Sequence, residues 1–205
     1  MKIIPTLEHE ERLWNEGFRF IGGIDEAGRG CWAGPVVAAV VILPKDHEQI
    51  SGITDSKLIS EKKRNELYEL ITSFALDFGV GIISHRIVDQ VGILNATKLA
   101  AKEAVSMTKN TPDYLLTDAL DLRKQIDIKQ ELFVKGDQKI YTISCASIIA
   151  KVTRDNLMRN LSGEYKKYQF NLHKGYGTAL HTKLLDEYGI CDIHRKSYKP
   201  IKKYL

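Results

Sequence analysis

Short apolar runs along the chain have the length and composition of buried β-strands. The first extends from Phe18 to Asp25, and the second, rich in β-branched residues, from Val36 to Leu43. Further strands are predicted at Val80 to Ser84, at Tyr114 to Thr117 and at Leu132 to Lys135. The pattern therefore predicts five strands, with the first two close together in sequence.

Between these runs the apolar positions recur at helical spacing. A helix that begins near the N-cap Ser60 carries one apolar stripe, formed by Leu67, Leu70, Ile71, Phe74 and Phe78. Other helices are predicted from Ile93 to Val105, from a cap at Ser144 to Asn160, and from Leu180 to Tyr188 before Gly189. Strands that come early and then alternate with helices favour a mixed sheet with helices on its faces, an α/β or α+β layer fold.

The composition is that of an ordinary globular protein. With 205 residues, 43% of them hydrophobic and 27% charged, we predict a single domain over residues 1–205. We find no transmembrane run and no apolar core of a signal peptide, and we expect a cytoplasmic monomer with no membrane partner. The cysteines fit neither a disulfide framework nor a zinc spacing, and we expect free thiols at Cys31, Cys145 and Cys191.

The net charge of +4 is unevenly distributed. Residues 166–205 hold nine Lys and Arg against three Asp and Glu, whereas the other residues carry a small acidic excess. A basic carboxyl-terminal part suits a polyanionic partner, although a solubilising tail would have the same composition.

Three acidic residues differ from the others because each follows an apolar, strand-like run. Asp25 ends FRFIGGID, Asp118 ends YLLTD and Asp137 ends ELFVKGD. In α/β sheets, ligands gather beyond the carboxyl ends of the strands, so acids far apart in sequence can converge there. These three residues are therefore candidates for one shared site.

Glu26 needs a separate argument because it directly follows Asp25. Successive side chains of a regular strand point to opposite faces, so the two acids would not share a site in an uninterrupted strand. Glycine tolerates bends and bulges, and we expect Gly22 and Gly23 to bend or end the strand before the acidic pair.

Four carboxylates brought together would repel each other, and some would bind protons at neutral pH. A divalent cation removes that difficulty, and an all-oxygen ligand set suits Mg²⁺ or Mn²⁺ rather than zinc. Two such ions about 4 Å apart would activate water and stabilise both oxygens of an in-line phosphodiester displacement. The alternative is that the acids end strands and cap helices separately.

A series of motifs resembles the ribonuclease HII family. They follow the family's order over nearly the whole chain: DEAGRG at 25–30 with AGPVVAAVVIL after it, TDSK at 54–57, LLTDAL at 115–120, KGD at 135–137, SIIAKVTRD at 147–155, HKGYGT at 173–178 and IHRKSYKP at 193–200. An isolated acidic pair would be weak support, whereas the ordered series is specific.

The resemblance implies a ribonuclease H-like fold with a mixed, five-stranded sheet flanked by helices and a helical carboxyl-terminal part. It implies an endonuclease that hydrolyses the RNA strand of RNA–DNA hybrids and also cuts 5′ to a single ribonucleotide in duplex DNA, leaving 3′-hydroxyl and 5′-phosphate ends. The family's four catalytic and metal-binding acids fall on the acids selected above, Asp25, Glu26, Asp118 and Asp137.

The resemblance also implies substrate contacts. Gly28, Arg29 and Gly30 match the element that reads the 2′-hydroxyl, a group that both donates and accepts hydrogen bonds. Tyr176 matches the tyrosine that packs on the sugar at the RNA–DNA junction, and we expect its flanking glycines to leave both faces of the ring open. Candidate phosphate contacts, besides Arg29, are Lys57, Lys174, Ser144 and Ser147. Without the resemblance, a tight turn and solvated surface lysines would explain the same residues.

Two departures from the family pattern bear on substrate affinity. Cys31-Trp32 stands where many members have Pro-Leu, and TDSKLIS has one lysine where a pair is common. Two other classes of function remain: a non-catalytic nucleic-acid-binding module, and a nucleotide-binding loop at GGIDEAGRG. The four acids argue against the first, because negative charge that faces phosphates weakens binding. The second fits neither G-x-G-x-x-G nor G-x4-G-K-[ST].

Overall fold

One mixed five-stranded sheet forms the centre of the computed structural model, which describes residues 4–205. The strands are β1 Ile21–Ala27, β2 Val36–Ile42, β3 Asp77–Ile83, β4 Tyr114–Asp118 and β5 Lys129–Phe133, in the spatial order β3-β2-β1-β4-β5. β1, β2 and β3 pair antiparallel, whereas β4 runs parallel to both β1 and β5. The predicted mixed sheet is confirmed, and the carboxyl ends of β1, β4 and β5 lie at one edge.

Helices cover both faces of this sheet and form most of the carboxyl-terminal part. They are α1 Glu8–Asn15, α2 Glu61–Phe74, α3 His85–Val91, α4 Ile93–Ser106, α5 Tyr141–Glu164, α6 Phe170–His173, α7 Ala179–Tyr188 and α8 Lys199–Lys202. The predicted cap of α2 at Ser60 and the end of α7 at Gly189 are confirmed. α5 packs on one face with α2 beside it, and α4 packs on the other. None of the helices described is long and apolar enough to span a membrane.

β1 continues without interruption through both acids, so the expected bend at the glycines is wrong. Its antiparallel register with β2 runs regularly from Gly22 to Ala27. The glycines serve close packing instead: a Cβ on Gly23 would lie 2.4 Å from the backbone carbon of Thr142 in α5. The absence of a side chain at Gly23 therefore lets α5 approach the strand that carries Asp25.

Other predicted boundaries shift by a few residues, and two of these shifts affect the site. β3 begins at Asp77 and takes in Phe78, so Phe78 does not belong to the stripe of α2, where Leu70 is also exposed. β5 ends at Phe133, and Asp137 lies in a short 3-10 turn rather than at a strand end. α5 begins at Tyr141, so Ser144 lies inside the helix and is not its cap.

The amino end of α5 is capped from a distant part of the chain. Glu10 in α1 is fully buried, and its Oε1 accepts hydrogen bonds from Thr142 N (2.9 Å) and Thr142 Oγ1 (2.7 Å). These bonds satisfy a donor that the first helical turn leaves without an intrahelical partner. The contact fixes the start of the helix that lies against Asp25.

We expect Glu10→Ala to lower the free energy of unfolding by about 2 to 3 kcal/mol, because it leaves a buried amide and a buried hydroxyl without an acceptor. Urea unfolding followed by circular dichroism measures the change. Glu10→Gln keeps an acceptor and should lose less, and Glu11→Ala, at an exposed neighbouring position, should change the value by under about 0.5 kcal/mol. Equal effects at Glu10 and Glu11 would contradict the capping role.

The carboxyl-terminal part packs on α5 through its own apolar cluster, formed by Ala33, Met158, Tyr168, Phe170 and Ile193. α6, α7 and the segment before α8 surround this cluster. All three cysteines are free, as predicted, with Cys31 and Cys145 buried. Residues 166–205, which carry the basic excess, are thus attached to the same helix that lines the acidic edge of the sheet.

Candidate active site

The predicted acids gather at the edge where β1, β4 and β5 end. Ile24 of β1 pairs with Thr117 of β4, so the next residues, Asp25 and Asp118, lie at the same level on neighbouring parallel strands. Gly136 N donates to Asp118 Oδ1 over 2.8 Å and holds the turn that carries Asp137 against β4. The parallel pairing of β1 with β4 therefore brings together acids that are about ninety residues apart in sequence.

Asp25 is the most enclosed of the four, with 3% of its surface exposed. Burial is the main cause that raises its pKa well above the usual value, and the charges of Glu26 and Asp118 raise it further, while the Ser147 hydroxyl lowers it. One carboxylate oxygen accepts from Glu26 N at 2.7 Å. The other, Oδ2, is buried and has no hydrogen-bond partner among residues 4–205.

Glu26 leaves β1 on the face opposite Asp25 but still belongs to the same group of charges. Burial raises its pKa, the nearby guanidinium of Arg29 lowers it, and the charge of Asp118 raises it. Arg29 Nη1 lies 3.1 Å from Glu26 Oε1, whereas Glu26 Oε2 is buried without a partner in the described part of the chain. Glu26 is the residue before the last of β1, and the charges of Glu26 and Asp118 both act on Asp25, so the pair lies in one group of acids.

A fifth carboxylate, Asp55, and a lysine lie beside Asp137. Lys57 Nζ is 3.6 Å from Asp137 Oδ2 and 3.9 Å from Asp55 Oδ1. Partial burial alone would lower the pKa of Lys57, but the charges of Asp55, Asp25, Asp137 and Asp118 raise it. Burial also raises the pKa of Asp137, with Asp55 and Asp118 adding to the effect and Lys57 opposing it. The ammonium group thus partly neutralises an acidic edge.

The donor set fits a hard divalent cation. Asp25 Oδ2 and Glu26 Oε2 are buried acceptors with unmet hydrogen-bonding capacity, and carboxylate oxygens are the ligands that Mg²⁺ and Mn²⁺ favour. Among residues 4–205, no three Asp, Glu, His or Cys side chains lie close enough together to form a metal site. Carboxylates that repel each other draw closer when a cation neutralises their charge, so a bound ion would complete the grouping.

A cavity of about 320 Å³ adjoins this edge of the sheet. It is lined by Glu26, Ala27, Gly28, Arg29, Gly30, Ser56, Lys57, Lys151 and Tyr176. The Tyr176 ring is half-buried, with Lys151 Nζ 5.0 Å and the Arg154 guanidinium carbon 5.6 Å from its centroid. The expectation of two open ring faces is therefore wrong, because these cations pack against the ring.

Two buried arginines hold the Gly28-Arg29-Gly30 loop in place. Arg195 Nη1 donates to the carbonyl oxygens of Gly28 (2.8 Å) and Arg29 (3.1 Å), and the Tyr198 hydroxyl also donates to Arg29 O. Arg154 lies directly behind Gly28, which has a φ of +98°. The loop that faces the cavity is thus fixed by its carbonyl groups.

The remaining predicted substrate contacts are less accessible. Ser144 Oγ is buried and donates to the carbonyl oxygen of Asp137 at 2.7 Å, so it supports the turn of an acid. Ser147 Oγ lies 3.0 Å from Ser56 Oγ and beside Asp25. Lys174 is 8% exposed, and its Nζ lies 3.7 Å from Glu61 Oε2. Phosphate contacts by these three residues stay predictions.

The residues that the sequence reasoning passed over are Asp55, Lys151 and Arg195. Each lies inside a motif already noted, TDSK, SIIAKVTRD or IHRKSYKP. For Lys151 a signal was available: Ser147, Lys151 and Asp155 follow at i, i+4 and i+8 and so share one face of α5. No periodicity marks Asp55 or Arg195, because each stands in an irregular segment.

The family model and the sequence relatives agree on one family. The family model described as Ribonuclease HII matches residues 22–201. Ribonuclease HII of Clostridioides difficile is 51% identical over 189 residues, which cover 92% of this chain and 73% of that protein. Ribonuclease HII of Bacillus mycoides is 47% identical and covers 98% of this chain and 77% of that protein.

A solved structure extends the similarity to the fold. Ribonuclease H2 of Pyrococcus horikoshii superposes with a TM-score of 0.77 at 23% identity and covers 90% of this chain and 96% of that one. The chain therefore belongs to the ribonuclease HII family, whose members are metal-dependent endonucleases that degrade RNA in RNA–DNA hybrids.

Proposed function

We propose that this endonuclease also cleaves duplex DNA on the 5′ side of a single embedded ribonucleotide and leaves 3′-hydroxyl and 5′-phosphate ends. The observation that carries the proposal is the cavity that joins Glu26 to the Gly28-Arg29-Gly30 loop and Tyr176. A nucleotide whose sugar lay in that cavity would have its phosphate beside the carboxylates. One ribose would then suffice for recognition and reaction.

Asp25, Glu26, Asp118 and Asp137 would hold two Mg²⁺ or Mn²⁺ ions when substrate is bound. Such ions supply an activated water and neutralise the charge that develops on the attacking and leaving oxygens. Asp25 Oδ2 and Glu26 Oε2, which are buried without a hydrogen-bond partner among the described residues, would supply two ligand atoms. Burial in this site strengthens their attraction for a cation, because little water screens it.

Lys57 is the residue best placed to contact a phosphate of the substrate. Its side chain is 70% exposed although its Nζ lies among the carboxylates. If those carboxylates held cations, the ammonium group of Lys57 would be free to pair with a backbone phosphate. Arg29, which is also exposed, would do the same on the other side of the cavity.

Sugar recognition would fall to the glycine loop and Tyr176. Gly28, Arg29 and Gly30 line the cavity, and a Cβ on Gly30 would meet nothing within 4 Å, so a 2′-hydroxyl would approach the backbone closely there. The exposed part of the Tyr176 ring would pack on the sugar that follows. A deoxyribose offers no 2′-hydroxyl to the loop, which would explain discrimination against DNA.

The partner of this surface would be a duplex, either an RNA–DNA hybrid or DNA with one ribonucleotide. The basic residues 166–205, attached to α5, would bind its phosphates, so affinity should fall as salt rises. We propose that the enzyme works as a cytoplasmic monomer, since one chain contains every residue to which we assign a role and the proposed substrates include ribonucleotide-containing DNA.

End-labelled duplexes with one ribonucleotide, four ribonucleotides or none, titrated with Mg²⁺ and Mn²⁺, test this function. We expect cleavage 5′ to the single ribonucleotide, none in the all-DNA duplex, and none in EDTA. The 5′-phosphate is checked by ligation of the product. Cleavage in EDTA, or tight hybrid binding without cleavage under either metal, would contradict the proposal.

A further inference from the structure

Three buried histidines lie behind the cavity and take no part in the chemistry described above. His173, His181 and His194 come from the segments around α6 and α7 and before α8, and His181 and His194 are fully enclosed. The rings of His173 and His181 stack at 4.2 Å between centroids, and the indole of Trp32 lies 5.4 Å from His181. Such a cluster would be costly if its rings were charged.

Hydrogen-bonding partners determine which nitrogen of each ring carries the proton. His181 Nδ1 lies 2.9 Å from the carbonyl oxygen of Tyr176, which can only accept, so Nδ1 donates. His194 Nδ1 lies 2.9 Å from Cys191 N and 3.2 Å from both Cys191 O and Cys191 Sγ. Because a neutral His181 that donates through Nδ1 has no proton on Nε2, the contact between the two rings requires the proton of His194 to be on Nε2, and Nδ1 then accepts from Cys191 N. That Nε2 lies 3.0 Å from His181 Nε2, which is free to accept.

The three bonds therefore run in one direction, from Cys191 N–H through His194 and His181 to Tyr176 O. We call this chain of bonds the histidine relay. It requires both rings to be neutral, and burial does lower the pKa of His181 and of His194 to about 4. Both rings are thus fixed as neutral, oriented donors at physiological pH.

The relay ends on the backbone of the residue that faces the substrate. His173 adds a second contact one residue earlier, since its Nδ1 accepts from Gly175 N at 3.2 Å while its Nε2 donates to Tyr168 O. Trp32 N donates to Gly175 O at 2.8 Å. The peptide groups on both sides of Tyr176 are therefore anchored, although its ring stays half-exposed in the cavity.

We propose that His181 and His194 are positioning residues for substrate recognition: through the histidine relay they set the place of the Tyr176 ring in the cavity. The proposal rests on the role of Tyr176 given under the proposed function. Tyr176 O has a second donor, Thr178 N at 2.9 Å, so the relay adds a bond of different direction to the same carbonyl group. Rotation of either imidazole would break the relay and leave the peptide of Tyr176 less firmly oriented. The ring would then align the ribonucleotide with the carboxylates less well.

His181→Phe tests the relay, because phenylalanine keeps the stacking on His173 and Trp32 but removes the hydrogen bond that His181 donates to Tyr176 O. On a duplex with one ribonucleotide we expect kcat to fall about tenfold, with KM changed by less than about twofold, since phosphate contacts dominate affinity. His181→Asn presents an amide donor near the position of Nδ1 and should restore most of kcat. An unchanged kcat in a folded His181→Phe would overturn the proposal.

His47→Phe is the matched control. This histidine also stacks on an aromatic ring, Phe74 at 4.2 Å, and burial also lowers its pKa, but it lies outside the relay and the cavity. We expect it to keep the wild-type kcat. Thermal unfolding checks the fold of each variant. If His181→Phe does not fold, His194→Asn takes its place: it keeps an acceptor for Cys191 N–H but withdraws the donor from His181.

A double-mutant cycle with Tyr176→Ala separates failure of the relay from failure of the proposed function. If the relay acts through Tyr176, adding His181→Phe to Tyr176→Ala should slow cleavage no further. Additive losses would show that His181 acts elsewhere and would overturn the proposal. A wild-type kcat in Tyr176→Ala itself would instead reject the role assigned to Tyr176.

Discussion

Asp25→Asn is expected to reduce cleavage by about a thousandfold or more while the protein becomes no less stable. Asparagine has nearly the same shape as aspartate but lacks the charge that would bind a cation, so the loss reports the charge alone. In the folded protein this carboxylate is buried between Glu26 and Asp118, and its pKa is raised. A raised carboxyl pKa means that ionisation at neutral pH opposes folding, so removal of the charge should leave the unfolding temperature unchanged or higher.

Single-turnover cleavage in saturating Mg²⁺, together with thermal unfolding in EDTA, measures both effects. Asp46→Asn, at an exposed turn position, is the matched control and should alter neither quantity. Wild-type cleavage by Asp25→Asn would remove Asp25 from the site. A lower unfolding temperature would instead assign to Asp25 a structural role that its unpartnered Oδ2 does not indicate.

The sequence was sufficient to predict that these acids lie at one edge of the sheet, but not the packing that surrounds them. Apolar runs mark β1 and β4, and acids at their ends converge because neighbouring parallel strands end at one edge. The close approach of α5 to Gly23 depends on tertiary packing, which the local pattern does not record. The sequence reasoning therefore assigned the glycines to a bend, although they make room for a helix.

The local sequence pattern also did not predict that Arg195 holds the Gly28-Arg29-Gly30 loop. Arg195 is far from Gly28 in sequence, and an arginine before a lysine and a serine is ordinarily read as a surface charge. Only the fold shows that it is fully buried and bound to carbonyl oxygens. Asp137 gives the opposite case: its strand was predicted a few residues too late, yet Asp137 lies at the predicted edge because the turn after β5 is held against Asp118.

Gly28→Ala is expected to lower the free energy of unfolding by about 2 to 4 kcal/mol and to reduce kcat/KM more than tenfold. The residue has a φ of +98°, and a Cβ would lie 2.1 Å from Arg154 Nε and 2.9 Å from Pro35 O. Arg154 has little freedom to move away, because its guanidinium donates to Pro35 O, Lys174 O and Ala33 O. The loop would move instead, and the cavity would lose its shape.

Gly30→Ala separates recognition of the sugar from stability of the loop. A Cβ on Gly30 would meet nothing within 4 Å, and no positive φ forces glycine there, so urea unfolding should change by under about 0.5 kcal/mol. Yet Gly30 lines the cavity, and the added methyl group would stand where a ribose has to approach the backbone. We therefore expect kcat/KM on a single-ribonucleotide duplex to fall about tenfold in a protein of normal stability. Wild-type cleavage by Gly30→Ala would place the sugar elsewhere, and the discrimination between ribose and deoxyribose would then have to come from Gly28 and Arg29 alone.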